Sequence, residues 1–111
     1  MRSWKRSWAI LNEEKILSYL GLATKAGKLV SGEFMTEKSV KEGKAKLVIV
    51  AEDASDNTKK MFRNMCDFYH VPMYTMSDKD SLGHGIGKQF RASLAVLDKG
   101  LADAIKKQFN N

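Results

Sequence analysis

The chain has 111 residues, 43% of them hydrophobic and 29% charged, which suits one globular domain with a single core and suggests neither a disordered chain nor a fibrous repeat. Nineteen Lys and Arg stand against thirteen Asp and Glu, a formal charge of +6, so a polyanion (RNA, DNA or an anionic membrane surface) leads the candidate partners, against the plain reading of a solvated basic surface. The single cysteine, Cys66, excludes an internal disulfide, and with neither a secretory segment nor an apolar run of spanning length the chain is expected to be cytoplasmic, with no membrane role.

Residues 1–10 read as a basic, flexible N-terminal arm or leader, and residues 11–111 as the single domain. The arm carries Trp4 and Trp8, which could stack on unpaired bases, although a flexible end or translated leader is the plainer reading. Asn12, followed by Glu13 and Glu14, has the form of a helix cap, with Ile16, Leu17, Leu20 and Ala23 at helical spacing and Gly27 as the stop. Leu29 to Ser31 is a short strand. Gly32 turns the chain into a second helix that carries Phe34, Thr36 and Val40 toward the layers and ends at Gly43.

Leu47 to Ala51 is apolar throughout and rich in β-branched residues, the mark of a strand covered on both faces. Ser55, Asp56 and Asn57 open a third helix whose stripe of Met61, Phe62, Met65, Cys66 and Tyr69 faces a core. Val71 to Met76 is a strand with Pro72 near its start, and Ser77 caps a short helix through Leu82. A flexible glycine-rich loop from Gly83 to Arg91 follows, then a strand over Leu94 to Leu97 and a closing helix marked by Leu101, Ala104, Ile105 and Phe109. Five helices alternating with four strands predict a three-layer α/β/α sandwich around a mixed sheet.

Chemistry-bearing motifs are few. The glycine run lacks the glycine and hydroxyl positions of a phosphate-binding or dinucleotide loop, and it follows a helix where those motifs follow a strand. Cys66, Asp67 and His70 fall short of a zinc ligand set, with His84 the only other histidine, and Cys66 reads as a small core residue. No cofactor and no catalytic residue is expected. Lys25, Lys28, Lys38, Lys88 and Arg91, interleaved with Phe34 and Phe90, have the composition of an RNA site: cations for phosphates, aromatics for bases. Ordinary helix surface would give the same spacing.

Four stretches carry more than composition: Ala26-Gly27-Lys28-Leu29 through Gly32, Lys38 through Asp53, Tyr69-His70-Val71-Pro72-Met73 and Leu82-Gly83-His84-Gly85-Ile86-Gly87. Together they make the chain from about Leu11 onward resemble the ribosomal L-seven-Ae and L-thirty-e family, closest to its small bacterial stand-alone members. The resemblance implies an α/β/α sandwich and a kink-turn RNA binder of a family often associated with the ribosome; a non-enzymatic monomer is expected. It also implies an RNA site at the start of the second helix and the loop before the last strand. By position this means Gly32, Glu33, Phe34, Met35 and Lys38 with Lys88, Gln89, Phe90 and Arg91, to which the basic pattern adds Lys28.

The chain departs from the family pattern in two places. Val30 and Ser31 stand where kink-turn binders usually have a lysine pair, and Phe34 and Met35 stand where they have Asn and Glu to read guanine edges. Glu33 is the acceptor left beside them. The rival readings are a protein-interaction module on the same fold, using an apolar surface patch, and an enzyme built around Cys66 or the glycine loop.

Overall fold

Leu47, Val48, Ile49 and Val50 are all fully buried, which a strand achieves only when both of its faces are covered. In the computed structural model, which describes the backbone of residues 2–110 and the side chains of residues 12–110, this stretch is β2 (Leu47–Val50) of a four-stranded sheet. The other strands are β1 (Leu29–Ser31), β3 (Met73–Thr75) and β4 (Ser93–Val96), and the helices are α1 (Arg2–Lys25), α2 (Glu33–Lys41), α3 (Asp56–Tyr69), α4 (Lys79–Gly85) and α5 (Lys99–Asn110). The strand order is β1-β4-β2-β3. β4 runs antiparallel to both β1 and β2, and β3 is parallel to β2, so the sheet is mixed as expected.

Alternation along the strands sorts the core into two faces. Leu47, Ile49, Leu94 and Val96 meet Ile16 and Leu20 of α1, Leu82 of α4 and Ile105 of α5. Val48, Val50 and Ala95 meet Val40 of α2 and Phe62 and Cys66 of α3. Three layers result, α1, α4 and α5 on one side and α2 and α3 on the other. Each fully buried Leu, Ile or Phe stabilises this arrangement by roughly 1.5–3 kcal/mol.

Local signals explain most boundaries. Ser55 caps α3 by accepting from the Thr58 amide, and His70 closes that helix in the left-handed region at φ 58°. Four expectations need correction. Asn12 does not cap α1, which spans Arg2–Lys25; its side-chain amide instead donates to the Gln108 carbonyl at 3.1 Å, tying α1 to α5. The cap of α4 is Asp78, whose carboxylate accepts from the Ser81 amide at 2.7 Å, while Ser77 turns the chain at φ 62°. That helix continues past Leu82 to Gly85, so the glycine run begins as helix. Phe34 points away from the layers and is 74% exposed. The base-stacking reading of Trp4 and Trp8 lies outside the described side chains. Among the described residues, no helix is long and apolar enough to cross a membrane.

Candidate nucleic-acid interface

The sheet has two edges perpendicular to its strands. β1 ends, β2 ends, β3 ends and β4 begins at the upper edge, because Ser31 pairs with Leu94 and Val50 with Ser93. That register brings together two segments 60 residues apart. The Gly32 amide donates to the Ser93 carbonyl at 2.9 Å, carrying the β1–β4 ladder one step beyond the strand. Alongside it, Arg91 Nε donates to Ser31 Oγ at 3.0 Å.

From this seam α2 starts. Gly32 holds φ 91° and ψ 156°, a conformation nearly restricted to glycine, and no side chain caps the helix. The first intrahelical bond is from the Thr36 amide to the Gly32 carbonyl, 3.0 Å, so the amides of Glu33, Phe34 and Met35 lie outside the ladder and face outward with the positive end of the helix dipole. Lys38 stands one turn above Phe34 and Met35 on the same exposed face. Phe34, Met35 and Phe90 are 74%, 42% and 66% exposed, an apolar group that no core contact accounts for.

The second segment is held more firmly than a flexible glycine loop would be. The amides of Ile86 and Lys88 both donate to the Gly83 carbonyl, at 3.2 and 2.8 Å, and the Arg91 amide donates to the Lys79 carbonyl at 3.0 Å. Gly83 is buried against the Gln89 backbone, so closely that a Cβ there would sit 1.4 Å from the Gln89 carbonyl oxygen. Arg91 Nη1 donates to the Phe90 carbonyl at 2.8 Å. With Nε also engaged, two of the five guanidinium N–H groups fix the side chain and the others are left for a ligand.

The structure therefore brings Gly32, Glu33, Phe34, Met35, Lys38, Lys88, Gln89, Phe90 and Arg91 to one end of the sheet. Lys28 is not among them. It precedes β1, and its carbonyl accepts from Leu97 at the lower edge, roughly 13 Å of extended strand from Gly32. Sequence reasoning missed Ser31, the acceptor that holds Arg91. The only sign was its place before Gly32, where the resembled pattern has lysine; here the cation is Arg91, from the segment just before the neighbouring strand β4.

The charge of the upper edge changes sign along the sheet. Past β2 and β3 the connecting loops carry Glu52, Asp53 and Asp78, and Asp53 accepts from the Lys79 amide at 2.9 Å. Glu13 of α1 faces the same cluster, and its pKa is raised by partial burial and by the carboxylates of Glu52, Asp78 and Glu14. A polyanion is thus favoured over β1 and β4 and repelled over β2 and β3. An open cavity of about 920 Å³, lined by Leu17, Leu22, Lys25, Asp80 and His84, lies between α1 and α4.

Cys66 is buried, and its burial and the nearby Asp67 push the thiol up to about 11, opposite to what a nucleophile needs. Among the described residues no three His, Cys, Asp or Glu side chains are grouped to hold a metal ion.

A model of the ribosomal protein L7Ae/L30e/S12e/Gadd45 family matches residues 14–106. The RNA-binding protein YlxQ of Bacillus subtilis (strain 168) is 43% identical over 86 residues, covering 78% of this chain and 86% of that protein. Large ribosomal subunit protein eL30 of Eremothecium gossypii is 34% identical over 100 residues, covering 85% of this chain and 91% of its own length. A solved structure, a protein with unknown function from Bacillus halodurans C, superposes with a TM-score of 0.84 at 35% identity, covering 87% of this chain and 98% of that one.

Proposed function

Because the chain belongs to the ribosomal protein L7Ae/L30e/S12e/Gadd45 family, we propose that it is a non-enzymatic RNA-binding protein that recognises kink-turn-like structured RNA, acting as a monomer in the cytoplasm in association with the ribosome. The observation that carries the reading is the join between the start of α2 and the Lys88 to Arg91 segment, made by Arg91 Nε on Ser31 Oγ at 3.0 Å. It gives one face with open helix amides, the exposed cations Lys38 and Lys88 beside the half-buried Arg91, and three exposed apolar side chains.

Binding proceeds without covalent chemistry. Lys38, Lys88 and Arg91 neutralise phosphates, and a sharply bent backbone, which gathers phosphates, gains most from cations grouped in this way. The α2 amides and the Glu33 carboxylate meet base edges, as hydrogen-bond donors and acceptor respectively. Phe34, Met35 and Phe90 have no hydrogen-bonding groups for a base edge, so they pack on the faces of unstacked bases. Relative to family members with Asn and Glu at these two helix positions, recognition shifts from edges toward faces.

The test is a titration against a kink-turn RNA and against the same RNA with its G·A pairs replaced, at two salt concentrations. Tight binding to the first and a large loss on the second is the expected result. Equal, strongly salt-dependent binding to both would leave a backbone binder and remove the kink-turn part of the proposal. Lys88→Ala with Arg91→Ala should flatten the dependence of log K on log salt by about 1.8, at roughly 0.9 per phosphate contact; an unchanged slope rejects both cations. Failure to bind either RNA would return the exposed apolar group to a protein partner.

A further inference from the structure

The lower edge of the sheet gathers a second set of cations and aromatics, opposite the α2 start. The Leu97 amide donates to the Lys28 carbonyl and the Lys46 amide to the Val96 carbonyl, both at 2.8 Å. Continuing the strand registers by one residue sets Lys28 and Lys46 opposite Leu97 on its two sides. In-register neighbours share a sheet face, so both lysines stand on the α2 and α3 side with Leu97, two strand spacings or roughly 10 Å apart. The parallel register of β2 with β3 likewise puts Lys46 beside Val71, two residues beyond the end of α3 at Tyr69.

Two large aromatics close that helix. Phe68 and Tyr69 pack edge to face, with ring centroids 4.9 Å apart and planes at 78°. They are 75% and 40% exposed, in a chain whose Phe62, one and a half turns earlier, is fully buried. Helix α2 ends over the same edge at Lys41, whose pKa is raised by the hydrogen bond and charge of Glu37 and, more weakly, by Tyr69. The acids here have partners: Glu37 pairs with Lys41 at 2.9 Å, Glu42 with Lys44 at 3.4 Å, and Asp98 accepts from the Leu101 amide at 2.8 Å. Asp67 also lies on the exposed side of α3. Among the described residues, Lys28 and Lys46 take part in no ion pair.

We propose that this lower end is a second nucleic-acid contact, built for an unpaired, single-stranded stretch of RNA: a base stacks on the exposed ring of Phe68 while Lys28 and Lys46 hold the phosphates beside it. Cations alone would suit any polyanion, including an acidic protein. The solvent-facing aromatic pair that ends α3, near Lys41 and two residues before the Val71 that neighbours Lys46, selects a ligand that carries both phosphates and π-faces, the combination by which single strands are bound without sequence readout. Strand rise and the length of α2, roughly 12 Å from Glu33 to Lys41, keep this surface apart from the α2 start, so the inference stands whether or not kink-turns are recognised there.

The experiment is a titration of the full chain with a short labelled oligouridine, which forms neither duplex nor kink, at two salt concentrations. Phe68→Ala should weaken binding about tenfold with the salt slope unchanged. Lys28→Ala with Lys46→Ala should lower the slope by about 1.4, at roughly 0.7 per single-strand phosphate. Made in a chain that already carries Lys88→Ala and Arg91→Ala, which removes two cations of the other end, Phe68→Ala should bring the same loss of about tenfold, so the two readings fail separately. All these side chains are exposed or half-buried, and a thermal melt checks that each variant folds. Wild-type binding with Phe68→Ala, or loss of oligouridine binding through Lys88 and Arg91 alone, would overturn the proposal. So would polyglutamate binding as tightly as oligouridine, which would instead fit the lower end to an acidic protein.

Discussion

Gly32 and Gly83 position the two halves of the upper face, and they do so for opposite reasons. At Gly32 the space around a would-be Cβ is empty to 4 Å, but the backbone sits at φ 91° and ψ 156°. At Gly83 the backbone is ordinary helix, but the Gln89 carbonyl oxygen occupies the place of a Cβ, 1.4 Å away. The first half therefore depends on conformation and is open to solvent and ligand. The second depends on contact and is braced from behind. On the RNA surface proposed above, an open helix end beside a braced loop can keep the cations in place while the apolar side chains adapt.

Gly83→Ala is the most damaging change this comparison predicts. The added methyl overlaps backbone, which cannot rotate away as a side chain can, so the cost should reach or exceed the roughly 1–3 kcal/mol usual for an overpacked core. A urea melt reads the loss of stability. If stability instead holds while structured-RNA binding falls, the Gln89 segment has moved aside, and the brace serves binding more than folding. Unchanged stability and unchanged binding together would refute the contact. Gly32→Ala comes next, at about 1–3 kcal/mol, the cost of forcing a side chain into a nearly glycine-only region. Since nothing crowds that site, Gly32→Ala and Gly32→Ser should cost nearly the same; a larger loss for the bigger side chain would show that space, not φ, is limiting.

The same contrast marks how far the face could be read from sequence. Conformational glycines leave a local trace: Gly32 lies between a strand and a helix pattern, and Gly43, at φ 75°, follows the last turn of α2. The buried strand β2, the stripe on α3 and the Ser55 cap were legible for the same reason, since each is a pattern of near neighbours. Gly83 reads as loop because its reason for being glycine is Gln89, a contact closed only when the segment after α4 folds back on the helix. Asn12 has the form of a cap but serves as a tie to α5, and Ser77 lost the capping role to Asp78, one residue along, a choice set by the turn at φ 62°. Charge misled in one case. Lys28 groups with the other cations by composition, yet three residues of β1 carry it to the far edge. The meeting of α2 with the Lys88 to Arg91 segment was accessible only through family resemblance, because it depends on the antiparallel pairing of β1 with β4.

Ser31→Ala gives the smallest and most selective effect. The hydroxyl accepts from Arg91 Nε at 3.0 Å in a half-buried position, where water can replace it, so stability should fall by only about 0.5–1.5 kcal/mol. The charge of Arg91 remains, and the salt dependence of RNA binding should therefore stay at the wild-type slope. What is lost is the fixed placement of a long side chain, whose immobilisation must then be supplied on binding at about 0.5–1.5 kcal/mol, a two- to tenfold weakening. A double-mutant cycle separates the possibilities. If Ser31 acts by holding Arg91, then Ser31→Ala should have no further effect on affinity once Arg91→Ala is present. Additive losses would mean that the hydroxyl meets RNA directly, and the face would then depend on β1 itself as much as on the braced loop beside it.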